Sequence, residues 1–173
     1  MRMKKLFLLE FLSNPYTLKR HKSTVTLDGS DFQVIAIHSS QAPYFVAWCL
    51  FDTFSLEFVC EKEPFTINLS KEKESHHLEY FFKGSEQWPR MWLIQNQGTQ
   101  GKLVKAKPSP DYLLLFEKDF GMLNVEQWFN KLKSSNKFEL VYQLQDEQTS
   151  KWKWVSLLKH LIIVKEQNAQ TEI

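Results

Sequence analysis

Apolar and polar positions alternate through most of the middle of this chain. Phe54, Leu56, Phe58 and Cys60 share one face of an extended segment, and Phe65, Ile67 and Leu69 repeat the pattern after Pro64. Leu78, Tyr80 and Phe82 line one face of a further strand, and residues 91–95 read as the next. Upstream, residues 24–27 alternate up to Asp28-Gly29 and the β-rich run 32–38 follows, which predicts a hairpin around a D-G turn. The polar stretch 70–75 reads as a loop, and Gly98 and Gly101 bracket a turn. Asp111 then opens Tyr112-Leu113-Leu114-Leu115-Phe116, apolar on both faces as a central strand requires. Residues 138–144 alternate once more.

Two segments carry helix signals. Ser39-Ser40 followed by Pro43 marks a helix start, running to about Asp52. Residues 44–51 are apolar on every side, which fits either a deeply buried helix or a central strand; the preceding cap signal favours the helix. Farther on, Val125, Trp128, Phe129 and Leu132 form a single stripe at i, i+3, i+4 and i+7. Asn124 is the expected cap with Gln127 in the capping-box position, and Glu126, Lys131 and Lys133 complement the helix dipole. Residues 151–164 fit two readings: Trp154, Leu157, Leu158, Leu161 and Ile162 suit a helix, whereas Trp152-Lys153-Trp154-Val155 suits a strand.

The expected fold is α+β: an antiparallel β-sheet, built as a hairpin plus a meander, with two helices packed on one face. Residues 23–155 form the single domain. Residues 1–22 are an extension holding a short helix with Leu6 and Leu9 on its apolar side, and 156–173 are a second extension with a frayed polar tail. The outline is similar to profilin-like and longin-like modules, which are interaction domains.

Composition narrows the function classes. The chain has 173 residues, enough for one core, with 43% hydrophobic, 14% aromatic and 24% charged residues. A formal net charge of +2 does not demand nucleic acid or an anionic membrane. The opening MRMKKLFLLEFL imitates a secretory signal, but Glu10 interrupts its apolar run and no small-x-small site follows. No stretch approaches the roughly 18 apolar residues of a membrane span. Cys49 and Cys60 sit in apolar segments and read as reduced thiols of a cytoplasmic protein.

Most side chains with reactive chemistry fit structural roles. His76-His77 is the one histidine cluster, and adjacent residues on a strand point to opposite faces, so no metal site is expected. Cys49 in an apolar helix is expected to be inert. Gly98-Thr99-Gln100-Gly101-Lys102 reads as a hairpin turn, not a phosphate cradle. Asp111 beside Tyr112 offers a polar anchor for a small ligand, set against a plain strand-end carboxylate bonded to local backbone. Tyr80-Phe81-Phe82-Lys83, Trp88-Pro89-Arg90-Met91-Trp92 and the stripe Lys102, Lys105 and Lys107 offer material for a weak RNA-binding sheet, but no RNP1-like pattern is present. Trp152 and Trp154, in a lysine-rich segment, are the candidate residues for protein contact, set against a role in closing the core.

One family resemblance emerges. Residues 104–112 read Val104-Lys105-Ala106, Lys107-Pro108-Ser109 and Pro110-Asp111-Tyr112. In that register the chain resembles the uncharacterised bacterial IPExxxVDY family, keeping the Asp-Tyr pair while Lys105, Ala106 and Pro110 replace the motif's Pro, Glu and Val. Collinear features accompany it: Asp31-Phe32 with residues 34–37 and Ser39-Ser40, then Tyr44, Val46-Ala47-Trp48 and Leu50. Trp92-Leu93-Ile94 with Gln95-Asn96 and Gly101-Lys102-Leu103 follow. The resemblance spans about 24–154. It implies a small cytoplasmic bacterial protein and a helix over 44–51, and it brings no activity, cofactor or catalytic residue.

The expected function is thus a non-enzymatic, cytoplasmic protein-interaction module with no cofactor, contacting a protein partner or a second copy of itself through Trp152 and Trp154. The alternatives are a small-ligand-binding domain anchored by Asp111 and Tyr112, and a weak RNA-binding sheet.

Overall fold

Segments apolar on both faces form the middle of the sheet, because only burial on both sides satisfies them. The computed structural model describes residues 29–70, 73–118 and 125–158. Ten strands and three helices occur among them: β1 Phe32–His38, α1 Pro43–Phe54, β2 Val59–Cys60, β3 Phe65–Ser70, β4 Lys73–His77, β5 Glu79–Phe82 and β6 Met91–Gln95. β7 Gln97–Gly98, β8 Gly101–Lys102, β9 Tyr112–Glu117, α2 Val125–Ser134, β10 Leu140–Leu144 and α3 Asp146–Thr149 follow. Six strands make one antiparallel sheet in the order β10-β1-β9-β6-β5-β2. The fold is α+β.

Alternation divides the core into two layers. Ile35, Ile37, Leu93, Leu114 and Phe116 face α1 and α2, which contribute Val46, Leu50, Phe54, Trp128 and Leu132. Phe54 stacks on Trp128 with ring centroids 4.2 Å apart, and Phe116 meets the same indole edge-on. Val34, Ala36, Trp92, Ile94, Leu113 and Leu115 face the other way. That second face is covered by Phe65 and Ile67 of β3, by Val104, and by Val155 and Leu158 around a 3-10 turn over Lys153–Leu157. Both helices do share one face, and the opposite face is buried as well.

Several expectations need correction. The meander is interrupted: β3 and β4 leave the sheet as a separate hairpin, so the polar stretch read as a loop contains a strand. Ser75 and His77 point into that hairpin's buried side, which explains a strand with little apolar sequence. Phe54 ends α1, and Val59–Cys60 is the strand that remains of the expected 54–60 run, with Cys60 exposed. Ser39 and Ser40 do not cap α1; Ala42 is the cap residue and Pro43 begins the helix. Residues 153–157 are neither α-helix nor strand. β1 pairs with β9 on one side and with β10 on the other. The hairpin arm expected over 24–27, the helix expected within 1–22, the Asn124 cap and the C-terminal tail lie outside the described residues.

His76 and His77 diverge as expected on a strand, His76 exposed and His77 fully buried. The His77 ring lies against Gly98: a Cβ there would stand 2.5 Å from both His77 Cε1 and Ser75 Oγ, so only glycine allows β7 to approach β4 this closely. His77 Nδ1 donates to the Gln95 carbonyl at 3.0 Å, leaving Nε2 as the unprotonated nitrogen. Burial pushes the His77 pKa below its ordinary value.

Two outcomes follow. Leu114→Ala, at a fully buried position, is expected to cost about 2–5 kcal/mol in urea unfolding, whereas Leu157→Ala, at a half-exposed one, should stay within about 0.5 kcal/mol. Because the unfolded chain binds the His77 proton at a higher pH than the folded one, stability is full above the ordinary value of 6.5 and falls as the pH drops from there toward the depressed folded value. Unfolding midpoints across that window should show this slope, and His77→Gln should flatten it.

Candidate functional site

Two places compete for function: the corner between β1 and α1, and the outer side of α1. The corner holds the expected anchor pair. The Ser39 N–H donates to Asp111 Oδ2 at 3.0 Å, and the Tyr112 hydroxyl donates to the Gln41 carbonyl at 2.6 Å. Across the same loop the Ser40 N–H donates to Glu139 Oε1 at 2.9 Å. These side chains therefore satisfy the backbone of 39–41, which must turn sharply from strand to helix. Burial, with the Asp111 charge adding to it, pushes the Tyr112 phenol up to about 12, so it stays a neutral donor. His38 lies 3.8 Å from Asp111 through Nδ1 and stacks on Tyr142, centroids 5.7 Å apart. Asp111 and Tyr112 are brought together, and their polar atoms are engaged in fixing the start of α1.

The outer side of α1 is different. Tyr44, Trp48 and Phe51 follow one another at i, i+4 and i+7, and they are 70%, 50% and 49% exposed. Val46, Cys49 and Leu50 occupy the inner side and are fully buried. Burial pushes the Cys49 thiol above its usual value, the inert state expected for it. Beside the stripe lies an open groove of ≈ 410 Å³, lined by Tyr44, Trp48, Phe51, Phe58, Tyr80 and Glu57, with Ala47 at its floor. Phe58 and Tyr80 come from the β2–β5 margin of the sheet, so α1 and the sheet edge together make the groove. Phe58 packs against Phe82, 5.9 Å between centroids, which holds the groove wall in place.

Charge frames this surface. Lys137, from the turn after α2, pairs with Asp52, hydrogen-bonds Thr53 Oγ1 at 3.2 Å and lies over the Trp48 ring at 5.6 Å. It joins the helix layer's two members and shows that Trp48 accepts a cation on its face.

Trp152 and Trp154 stand elsewhere. They stack on each other with centroids 5.5 Å apart, Trp154 packs on Phe65, and both lie half-buried against the second core layer. The exposed aromatic stripe that sequence reading missed is on α1. Its signal was present in the spacing of Tyr44, Trp48 and Phe51, but all-round apolarity concealed which side would face outward.

Among the described residues, no group of three or more His, Cys, Asp or Glu is arranged to hold a metal ion, and no helix is long and apolar enough to cross a membrane. No protein-family model matches the chain, and no curated protein matches it.

Tyr112→Phe should lower stability by about 1 kcal/mol in chemical denaturation, the net value of one hydrogen bond. Asp111→Ala should cost a similar amount through the Ser39 N–H it leaves without its acceptor.

Proposed function

We propose that this chain is a non-enzymatic protein-interaction module of the cytoplasm, with the outer face of α1 and its groove as the contact surface. The observation that carries the reading is the Tyr44-Trp48-Phe51 stripe. Three large aromatic side chains stand about half or more exposed on one helix face, whereas every other Phe, Tyr and Trp ring among the described residues is buried or partly buried. A helix resting on a sheet ordinarily turns polar residues outward. With each ring contributing about 200 Å² at full exposure, the stripe presents about 350 Å², in the range of the largest apolar patch of a typical monomer, which is often functional. Tyr and Trp are also the residues that dominate binding energy when a partner covers them.

The cytoplasmic assignment is supported by two free cysteines, one buried and one exposed, as a reducing compartment maintains them. The collinear likeness to the IPExxxVDY family supports a bacterial protein of this kind; under that proposal the Asp-Tyr pair retained at Asp111-Tyr112 serves the β1–α1 corner.

The test is site-specific photocrosslinking in the native cell. A benzophenone side chain at position 48 or 51 is expected to give a discrete protein adduct, while one at position 157, exposed on the other side of the sheet, gives none. If positions 48 and 51 yield no adduct beyond that control, α1 is not a contact surface.

A further inference from the structure

The chemistry of the groove says more about its occupant than exposure alone does. We infer that it takes an arginine side chain presented by a short segment of a partner polypeptide, the guanidinium lying on the aromatic rings and forking onto the Glu57 carboxylate. This rests on the reading of α1 as a contact surface and deepens it.

Four observations lead there. First, the lining is aromatic plus one carboxylate: Tyr44, Trp48, Phe51, Phe58 and Tyr80 with Glu57, and no basic residue. Ring faces carry negative potential, so rings and carboxylate favour the same sign of guest. Second, Glu57 is exposed and has no ion-pair partner among the described residues, whereas the neighbouring Asp52 is held by Lys137. The one acidic group in the groove is therefore left available. Third, Lys137 over the Trp48 ring shows that a ring of this surface takes a cation on its face; that face being occupied, the guest's guanidinium rests on the groove rings that Lys137 leaves uncovered. Fourth, the apolar stripe of about 350 Å² falls well short of the roughly 800 Å² per partner that a stable globular interface buries. A short segment fits it better than a second copy of the chain.

Arginine is preferred to lysine on physical grounds. A guanidinium is planar and weakly hydrated, so it stacks on rings at little desolvation cost. It also matches a carboxylate with two parallel N–H donors, which an ammonium cannot do. Apolar residues flanking the arginine would lie along Tyr44, Trp48 and Phe51.

The experiment uses the full chain and two N-acetylated, C-amidated tripeptides, leucine–arginine–leucine and leucine–citrulline–leucine, which differ in charge but hardly in shape. Binding is followed through the Trp48 indole N–H resonance. The arginine peptide is expected to bind about fivefold more tightly than the citrulline peptide, from stacking and ion pairing at an exposed site together. Glu57→Gln, at a solvent-facing position, should leave the melting temperature unchanged and reduce that preference, and added salt should weaken the arginine peptide selectively. Equal binding of the two peptides, or a preference untouched by Glu57→Gln, overturns the inference and leaves an apolar partner segment as the occupant. A dimer in sedimentation that Trp48→Ala dissolves, with neither peptide binding, overturns it in favour of a second copy. Absence of crosslinks from positions 48 and 51 would instead remove the reading beneath it, so the two failures are distinguishable.

Discussion

A sheet whose central strands are apolar on both faces must be covered on both, and this constraint organises everything else. β1, β9 and β6 send alternate side chains into two separate layers, so neither face of the sheet can be left to water. The first layer is filled by α1 and α2. The second is filled by pieces that look unlike a layer in sequence: a polar hairpin, a loop valine and a 3-10 turn. Their combined cover lets a six-stranded sheet sit inside a chain with three helices among its described residues.

The position of α1 follows from how it leaves the sheet. The turn at 39–41 is held from two neighbouring strands, by Asp111 and Tyr112 at β9 and by Glu139 beside β10. At its other end Lys137 binds Asp52 and Thr53, and Phe54 stacks on Trp128. A helix fixed at both ends has no freedom to roll its aromatic stripe inward. Its inner side already fills the available space with Val46, Cys49 and Leu50, so Tyr44, Trp48 and Phe51 are held at the surface by the same contacts that stabilise the layer. The free energy of that exposed stripe is unfavourable in isolation, since apolar area in water is costly; under the proposed function, covering it is what a partner contributes.

The two aromatic concentrations of the chain thus have different characters. Around Trp152 and Trp154 the rings stack on one another and on Phe65, with their area turned mostly to the second core layer. Along α1 the rings stand beside a groove that also offers Glu57. Aromatic content alone does not separate these cases; the neighbours that each ring finds do.

The sequence by itself determined the element types that rest on strong periodicity: the strands around 32–38, 91–95 and 112–116, the amphipathic helix from Val125, the turn between Gly98 and Gly101, and the divergence of His76 from His77. These are local, because alternation and the helical stripe are properties of a few consecutive residues. It also brought Asp111 and Tyr112 forward, although not the backbone of 39–41 that they hold. Tertiary structure decided the rest. The stretch 73–77 becomes a strand because Phe65 and Ile67 of its partner and the close approach of Gly98 supply a buried side that its own residues do not advertise. Residues 153–157 settle into a 3-10 turn under the sheet instead of the helix or strand their pattern allowed. Most of all, the outward side of α1 was invisible: a helix apolar all round has no polar face to mark the solvent, and only the packing of Val46, Cys49 and Leu50 against the sheet fixes which rings remain outside.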